Sequence, residues 1–384
     1  MIDNSTAKVA WLVPSVVAGG YFGPVLTETA AFFAESIFFT GEAWPDAGKT
    51  DFGKAKIKIV GRTGFVKLQS NDGYGRNLIL ASPAIVPELV RYRPDLIIAN
   101  GFSIWTVFAL LLKPFFKWKI IVILDGISAS TSFEDSEIRL FARRVMSSMT
   151  DAFVANSAAA AQYFIQVLNV AEAKVFHQTY IVPDSKALDS IDSHLSFDYQ
   201  GLKILYIGRL VKRKGIRKLI EACLILKRQG LTDYTLILVG DGEERKALEN
   251  FIEEAGLSHN VIFIGWLSYG QIGAYFRASD VFVLPSFEDT WGAVLLEAMA
   301  FGKPVICSKM AGASEIVFEG KNGFTFDPYD SSELAEKLSM FFKSPDLVEK
   351  MGCQAKAIVS DYSPKRTAAF FSELSTSLLS SPAI

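Results

Sequence analysis

Apolar residues in this chain come in short, nearly unbroken runs separated by longer amphipathic stretches. KVAWLV (8–13), KIKIV (56–60), DLIIAN (95–100), KIIVIL (119–124) and AFVAN (152–156) form one series. LKILYI (202–207), YTLILV (234–239), NVIFIG (260–265), DVFVLP (280–285) and KPVICS (303–308) form a second. Parallel strands covered on both faces need runs of this kind, without polar alternation. Between them, segments such as IRKLIEACLILKRQ and EERKALENFIEEAG repeat apolar positions at helical spacing. The alternation predicts an α/β fold of two Rossmann-like, doubly wound parallel sheets, with ligands at the carboxyl ends of the strands. The series break in the Ser- and Asp-rich stretch 184–200, which has no core pattern. We therefore expect a first domain at 1–183, a linker at 184–200 and a second domain at 201–362. A C-terminal helix, 363–384, is expected to pack back on the first.

Composition narrows the function. The chain has 384 residues, long enough for two cores, and 39 basic against 41 acidic side chains. That balance speaks against a nucleic-acid partner, which would call for a basic excess. Three scattered cysteines suit a reducing compartment and give no metal-binding spacing. No secretory leader is expected, because MIDNSTAK is polar and the apolar run behind it is broken by Pro14 and Gly19–Gly20. No apolar run reaches the roughly 18 to 20 residues of a spanning helix. A cytoplasmic protein is expected. Half the residues are nonetheless hydrophobic. LLLKPFFKWK (110–119), if exposed, would suit an anionic membrane surface through Lys113, Lys117, Trp118 and Lys119, placing the protein peripherally on the inner face.

The candidate chemistry lies in the second series. GRLVKRKG (208–215) follows the strand-like LKILYI and leads into a helix. Gly208 makes the turn, and Arg209 and Lys214 are spaced to converge on a pair of phosphates, with Lys212 and Arg213 facing solvent. By itself such a segment also admits a reading as a solvated basic loop. Further on, PSFEDTWGAVLLEAMAFGKPVI (285–306) places a loop ending at Asp289 before a helix of about 291–300. That helix is apolar on every side except at Glu297, and a lone carboxylate there needs a partner: a ligand's hydroxyl pair, or a core arginine. The helix N-terminus at Thr290, Trp291, Gly292 and Ala293 offers free N–H groups to an anion. Asp289 is placed either to contact a ligand or to cap the helix. Cations for phosphates and a carboxylate for hydroxyls are the chemistry of holding a sugar nucleotide.

These residues resemble the retaining GT-B-type glycosyltransferases of family 4 (glycosyl transferases group 1). The GRLxxxKG pattern is met at 208–215, and the family's Glu-x7-Glu element is met as Asp289-x7-Glu297, with Asp in the first place. LVGDGEER (238–245), IFIGWLS (262–268), ASDVFVLPS (278–286), GASEIV (312–317) and KNGFTFDP (321–328) follow in the family's order. The resemblance implies two Rossmann-like domains facing across a cleft, acceptor bound by the first and nucleotide sugar by the second. It implies that Arg209 and Lys214 bind the donor diphosphate, Glu297 the ribose and Asp289 the transferred sugar. Residues 290–294 would add backbone N–H groups, and the base would lie near Gly265–Trp266. Gly19–Gly20 resembles the family's N-terminal glycine loop. Leu124 and Asp125 stand where many members carry His-Asp or His-Gly, so Asp125 is the candidate that orients the acceptor or the sugar.

The resemblance implies a hexosyltransferase that uses a UDP- or GDP-linked donor as co-substrate and a glycan or lipid-linked acceptor. Polysaccharide or glycolipid synthesis is the expected setting. No Asp-x-Asp occurs, and no metal or other cofactor is expected. Two rivals remain at this stage: a sugar-nucleotide epimerase of the same fold, and a catalytically silent sugar-nucleotide-binding subunit.

Overall fold

The structure, a computed structural model, describes residues 6–15, 22–42, 53–67, 77–188 and 201–380. Gly19 and Gly20, and residues 189–200 of the expected linker, lie outside the described residues. The chain divides into two compact units, Met1–Val182 with Tyr362–Ile384, and Pro183–Asp361.

The first unit carries β1 (Lys8–Val13), β2 (Glu35–Thr40), β3 (Ala55–Ile59), β4 (Gly64–Lys67), β5 (Asn77–Leu80), β6 (Leu96–Asn100), β7 (Lys119–Leu124), β8 (Ala152–Ala155) and β9 (Val175–His177). Seven of these form one parallel sheet in the order β3-β2-β1-β6-β7-β8-β9, and β4 pairs with β5 antiparallel. Its helices are α1 (Phe22–Ala30), α2 (Ile85–Tyr92), α3 (Ile104–Phe116), α4 (Ala129–Ser132), α5 (Glu137–Met149) and α6 (Ala158–Gln162). The strand centres are buried, with Ile97, Ile120, Val122 and Phe153 fully enclosed by the helix layer. The unbroken apolar runs at β1, β6, β7 and β8 are therefore core on both faces, while KIKIV, at the edge strand β3, stays partly exposed, with Ile59 outward.

The second unit opens with α7 (Ser185–Leu188) and continues with β10 (Leu202–Ile207), α8 (Ile216–Arg228), β11 (Tyr234–Val239), α9 (Arg245–Glu254), β12 (Val261–Gly265) and α10 (Ile272–Ala278). β13 (Val281–Leu284), α11 (Ala293–Ala300), β14 (Val305–Ser308), β15 (Gly323–Phe326), α12 (Ser331–Lys343) and α13 (Asp346–Val359) complete it. Its parallel sheet runs β12-β11-β10-β13-β14-β15. From β10 the chain winds outward through β11 to β12, then returns to β13 on the other side of β10. The carboxyl ends of β10 and β13 therefore form the topological switch point, where open α/β sheets leave a crevice between diverging loops. GRLVKRKG leaves β10 there and PSFEDTWG leaves β13.

The last helix, α14 (Pro364–Ser380), belongs to the first unit. Phe371 packs edge-on against Trp11 of β1 at 5.4 Å and against Tyr180 at 6.3 Å. Thr367 Oγ1 donates to the Thr179 carbonyl at 3.2 Å.

The LLLKPFFKWK stretch corrects one expectation. Trp118 is buried, stacks on Phe116 at 5.0 Å and donates its indole N–H to the Ala109 carbonyl at 3.1 Å. Lys113 turns inward, 2.7 Å from Asp151 and 2.7 Å from the Met149 carbonyl. An indole needs apolar cover and a partner for its N–H, and here the fold supplies both. Of the four residues only Lys117, the left-handed C-cap of α3, is exposed, and Lys119 is half-buried in β7. Among the described residues no helix is long and apolar enough to cross a membrane.

Candidate active site

The two loops at the switch point are knitted together. After β10, the Gly208 N–H donates to the Val239 carbonyl at 3.0 Å and the Leu210 N–H to the Asp241 carbonyl at 2.9 Å. The loop after β11 thus runs alongside GRL. Lys212–Lys214 form one turn of 3-10 helix, closed by Gly215 in the left-handed region at φ 66°. A Cβ on Gly215 would stand 2.0 Å from the Pro285 carbonyl oxygen. Both conformation and proximity demand glycine here.

The Arg213 carbonyl accepts from the N–H groups of Phe287 (2.8 Å) and Glu288 (3.3 Å), and its guanidinium donates to the Glu288 carbonyl at 3.2 Å. Arg213 therefore fastens the two loops, where the sequence suggested a solvent-facing cation. Lys214 Nζ forms an ion pair with Asp289 Oδ2, and both side chains are largely buried. Asp289 does not cap α11: the N-cap is Gly292, at φ 98°, with no side-chain bond. The cap reading of Asp289 gives way because the lysine one loop away is the stronger partner for its charge. Arg209 stays exposed, while its carbonyl accepts from the Tyr206 hydroxyl at 2.9 Å. Burial, and then the Asp289 charge, raise the Tyr206 hydroxyl pKa, so it stays a donor.

Past Asp289 the chain is held by backbone hydrogen bonds to the stretch 310–313. The Gly312 N–H donates to the Asp289 carbonyl at 3.1 Å and the Ala313 N–H to the Trp291 carbonyl at 2.8 Å. α11 then starts at Ala293, and its opening turn, with Gly292 and Ala293, presents N–H groups that have no carbonyl one turn back. These amides and the α11 dipole lie four residues beyond the Lys214–Asp289 pair in the sequence, a setting that favours an anion. Thr290 is half-buried and Trp291 buried.

Glu297, one turn further along α11, is 2% exposed. Among the described residues no lysine or arginine pairs with it; Oε1 accepts from the Tyr269 hydroxyl at 3.1 Å. Burial pushes its carboxyl up to about 7, and the Tyr269 hydrogen bond works against that rise. Trp266, just beyond β12, is 77% exposed and presents a free aromatic face. Among the described residues no group of three His, Cys, Asp or Glu side chains is placed to hold a metal ion.

Asp125 belongs to the other unit, at the carboxyl end of β7. It accepts from the Tyr180 hydroxyl at 2.7 Å, and burial raises its carboxyl to about 6 against the pull of Tyr180 and Asn100. The sequence reading missed Tyr180, Asn100, Tyr206 and Tyr269. Tyr180, Asn100 and Tyr269 meet carboxylates far away in the chain, so no local spacing marks them, and Tyr206, a core strand residue, turns its hydroxyl back to the carbonyl three residues on.

Fold and site together define a class: two parallel-sheet α/β units of the GT-B type, with a buried lysine–carboxylate pair and a helix N-terminus at the switch point of the second. Residues 190–358 match the family model described as glycosyl transferases group 1, so this stretch is a domain of that family. Alpha-D-kanosaminyltransferase of Streptomyces kanamyceticus is 31% identical over 148 residues, 38% of each chain. D-inositol 3-phosphate glycosyltransferase of Paenarthrobacter aurescens is 32% identical over 169 residues, 43% of this chain and 41% of that one. The matches thus span about two-fifths of these relatives' length. The structure of Anabaena HepE in complex with UDP superposes with TM-score 0.75 at 22% identity, covering 97% of this chain and 100% of that one. Sucrose-phosphate synthase of Thermosynechococcus elongatus gives TM-score 0.72 at 19% identity, covering 97% and 99%. At these identities the likeness establishes the fold.

Proposed function

We propose that the protein is a retaining, metal-independent glycosyltransferase that moves a sugar from a UDP- or GDP-linked donor to a hydroxyl of a glycan or lipid-linked acceptor. The observation that carries this reading is the pairing of Lys214 with Asp289 at the switch point, directly before the N-terminus of α11 and the buried Glu297. Sugar nucleotides present a diphosphate next to a ribose diol, and this stretch offers cations and helix amides next to a buried acceptor of hydrogen bonds. Solved complexes of Anabaena HepE with UDP and with UDP-glucose lend support to a uridine donor.

In this reading Arg209 and Lys214 neutralise the diphosphate, together with the amides of Thr290 to Ala293. Lys214 exchanges its bond with Asp289 for one to phosphate, which releases the carboxylate to accept from the transferred sugar. Glu297 accepts from the ribose hydroxyls, and the exposed ring of Trp266 lies beside the base. As the glycosidic bond breaks, charge gathers on the departing diphosphate, and fixed cations stabilise it most when that charge is greatest. The departing phosphate oxygen takes the acceptor's proton, so no side-chain base is needed. Asp125 accepts from an acceptor hydroxyl.

The test is thermal shift against UDP and GDP followed by incubation with UDP- and GDP-sugars and an acceptor panel. Transfer with the donor's anomeric configuration preserved in the product supports the reading. Inversion at C2 of the sugar would point to an epimerase, and binding without turnover to a silent subunit. Lipid-linked acceptors belong in the panel, since a lipid substrate would bring the protein to a membrane surface.

A further inference from the structure

We infer that Tyr269 is the positioning residue of the donor site: its hydroxyl holds one oxygen of Glu297, so that the carboxylate is aimed at the ribose hydroxyls and ionises as they bind. This rests on the reading of Glu297 just given. Tyr269 opens the short turn Tyr269–Gln271, which is locked by its own contacts. Gln271 Oε1 accepts from both the N–H (3.0 Å) and the hydroxyl (2.8 Å) of Ser268. The tyrosine is thereby fixed before any ligand arrives, and its hydroxyl reaches across to α11 to donate to Glu297 Oε1 at 3.1 Å.

A carboxylate has about four lone-pair positions. One is occupied by Tyr269, which leaves Oε2 for a diol. The elements packed against α11 are β13, β14, the turn Gly312–Ile316 and α13. Their ionisable groups are Cys307, Glu315 and, on α13, Asp346, Glu349, Lys350, Cys353 and Lys356, whose stem lies beside Gly302 just past the helix; none of them is among the causes that shift the Glu297 carboxyl. What acts on the Glu297 carboxyl is burial, which favours the neutral form, and the Tyr269 hydroxyl, which favours the charged one. A neutral carboxyl would meet the ribose with one oxygen already committed to its own proton. Tyr269 tips that balance toward the accepting form.

The experiment measures binding of UDP and GDP, and of 2′,3′-dideoxy-UDP, by calorimetry at pH 6.5, 7.5 and 9. Wild type, Tyr269→Phe and Glu297→Gln are compared, with circular dichroism as the check on folding. Tyr269→Phe should weaken UDP binding about tenfold at pH 6.5 to 7.5, the scale of one hydrogen bond to a charged group. The loss should shrink by pH 9, where the carboxyl ionises without help, and should be absent with the dideoxy nucleotide. A loss equal at every pH, a loss equal for the dideoxy probe, or no loss overturns the inference. If Tyr269→Phe does not fold, wild type decides: UDP binding should release a proton at pH 6.5 and not at pH 9, and no release at pH 6.5 overturns it. Glu297→Gln separates the two levels. If that variant binds UDP like wild type, or wild type binds neither nucleotide, the donor-site reading itself falls. If Glu297→Gln weakens binding and Tyr269→Phe does not, only the role of Tyr269 falls.

Discussion

Glu297 is a carboxyl that the fold holds more easily neutral than charged. Its carboxyl, raised to about 7 by burial, is more easily protonated folded than unfolded. Its contribution to stability is therefore full below the unfolded carboxylate range and is lost as the pH rises toward 7. Glu297→Gln removes that dependence. It should stabilise the fold at pH 8 by up to about 3 kcal/mol, read as a melting temperature above that of wild type, and change little at pH 5. The Lys214–Asp289 pair makes the opposite case. Lys214→Ala should abolish turnover, and because it strands Asp289 it should also cost about 3 kcal/mol of stability, read as a fall in melting temperature. A double variant, Lys214→Met with Asp289→Leu, should recover stability and remain inactive, which separates structural loss from chemical loss. Much of this site was legible from the chain alone. Glu297 stood out as one acid in an apolar helix, and Lys214 and Asp289 as charges at two strand ends. That the two would bond each other was not legible, since nothing local encodes the meeting of residues 75 apart.

At the scale of elements, the site is made by two loops whose backbones touch. Gly215 is the clearest test of that contact. Any side chain there meets the Pro285 carbonyl and must hold φ near 66°. Gly215→Ala should force 208–215 away from 285–289, with a loss of well over 1 kcal/mol in denaturant unfolding and a parallel loss of nucleotide affinity. The strands that carry these loops were easy to read, because LKILYI and DVFVLP are apolar throughout and end at turn residues. β2, β9 and β15 were not. ESIFFT opens on Glu and Ser, VFH is three residues long and GFTF four. Their place in the sheets comes from pairing with neighbouring strands rather than from a pattern of their own.

Across the whole molecule, the first unit is finished by residues that come after the second. α14 covers Trp11 and Tyr180 with Phe371. Removing 362–384 should expose that aromatic cluster and lower the melting temperature of the first unit, while the second keeps its core and its nucleotide-dependent shift. Both parts of that outcome can be followed in one thermal scan with UDP or GDP present.

A ribosome delivers this chain in an awkward order. The segment that begins first is the one that must wait, holding an open apolar flank through the synthesis of some 180 intervening residues. Emergence of α14 is then the event that seals it. A message cut short before α14 would yield an intact second unit and a sticky, incomplete first one for quality control to find.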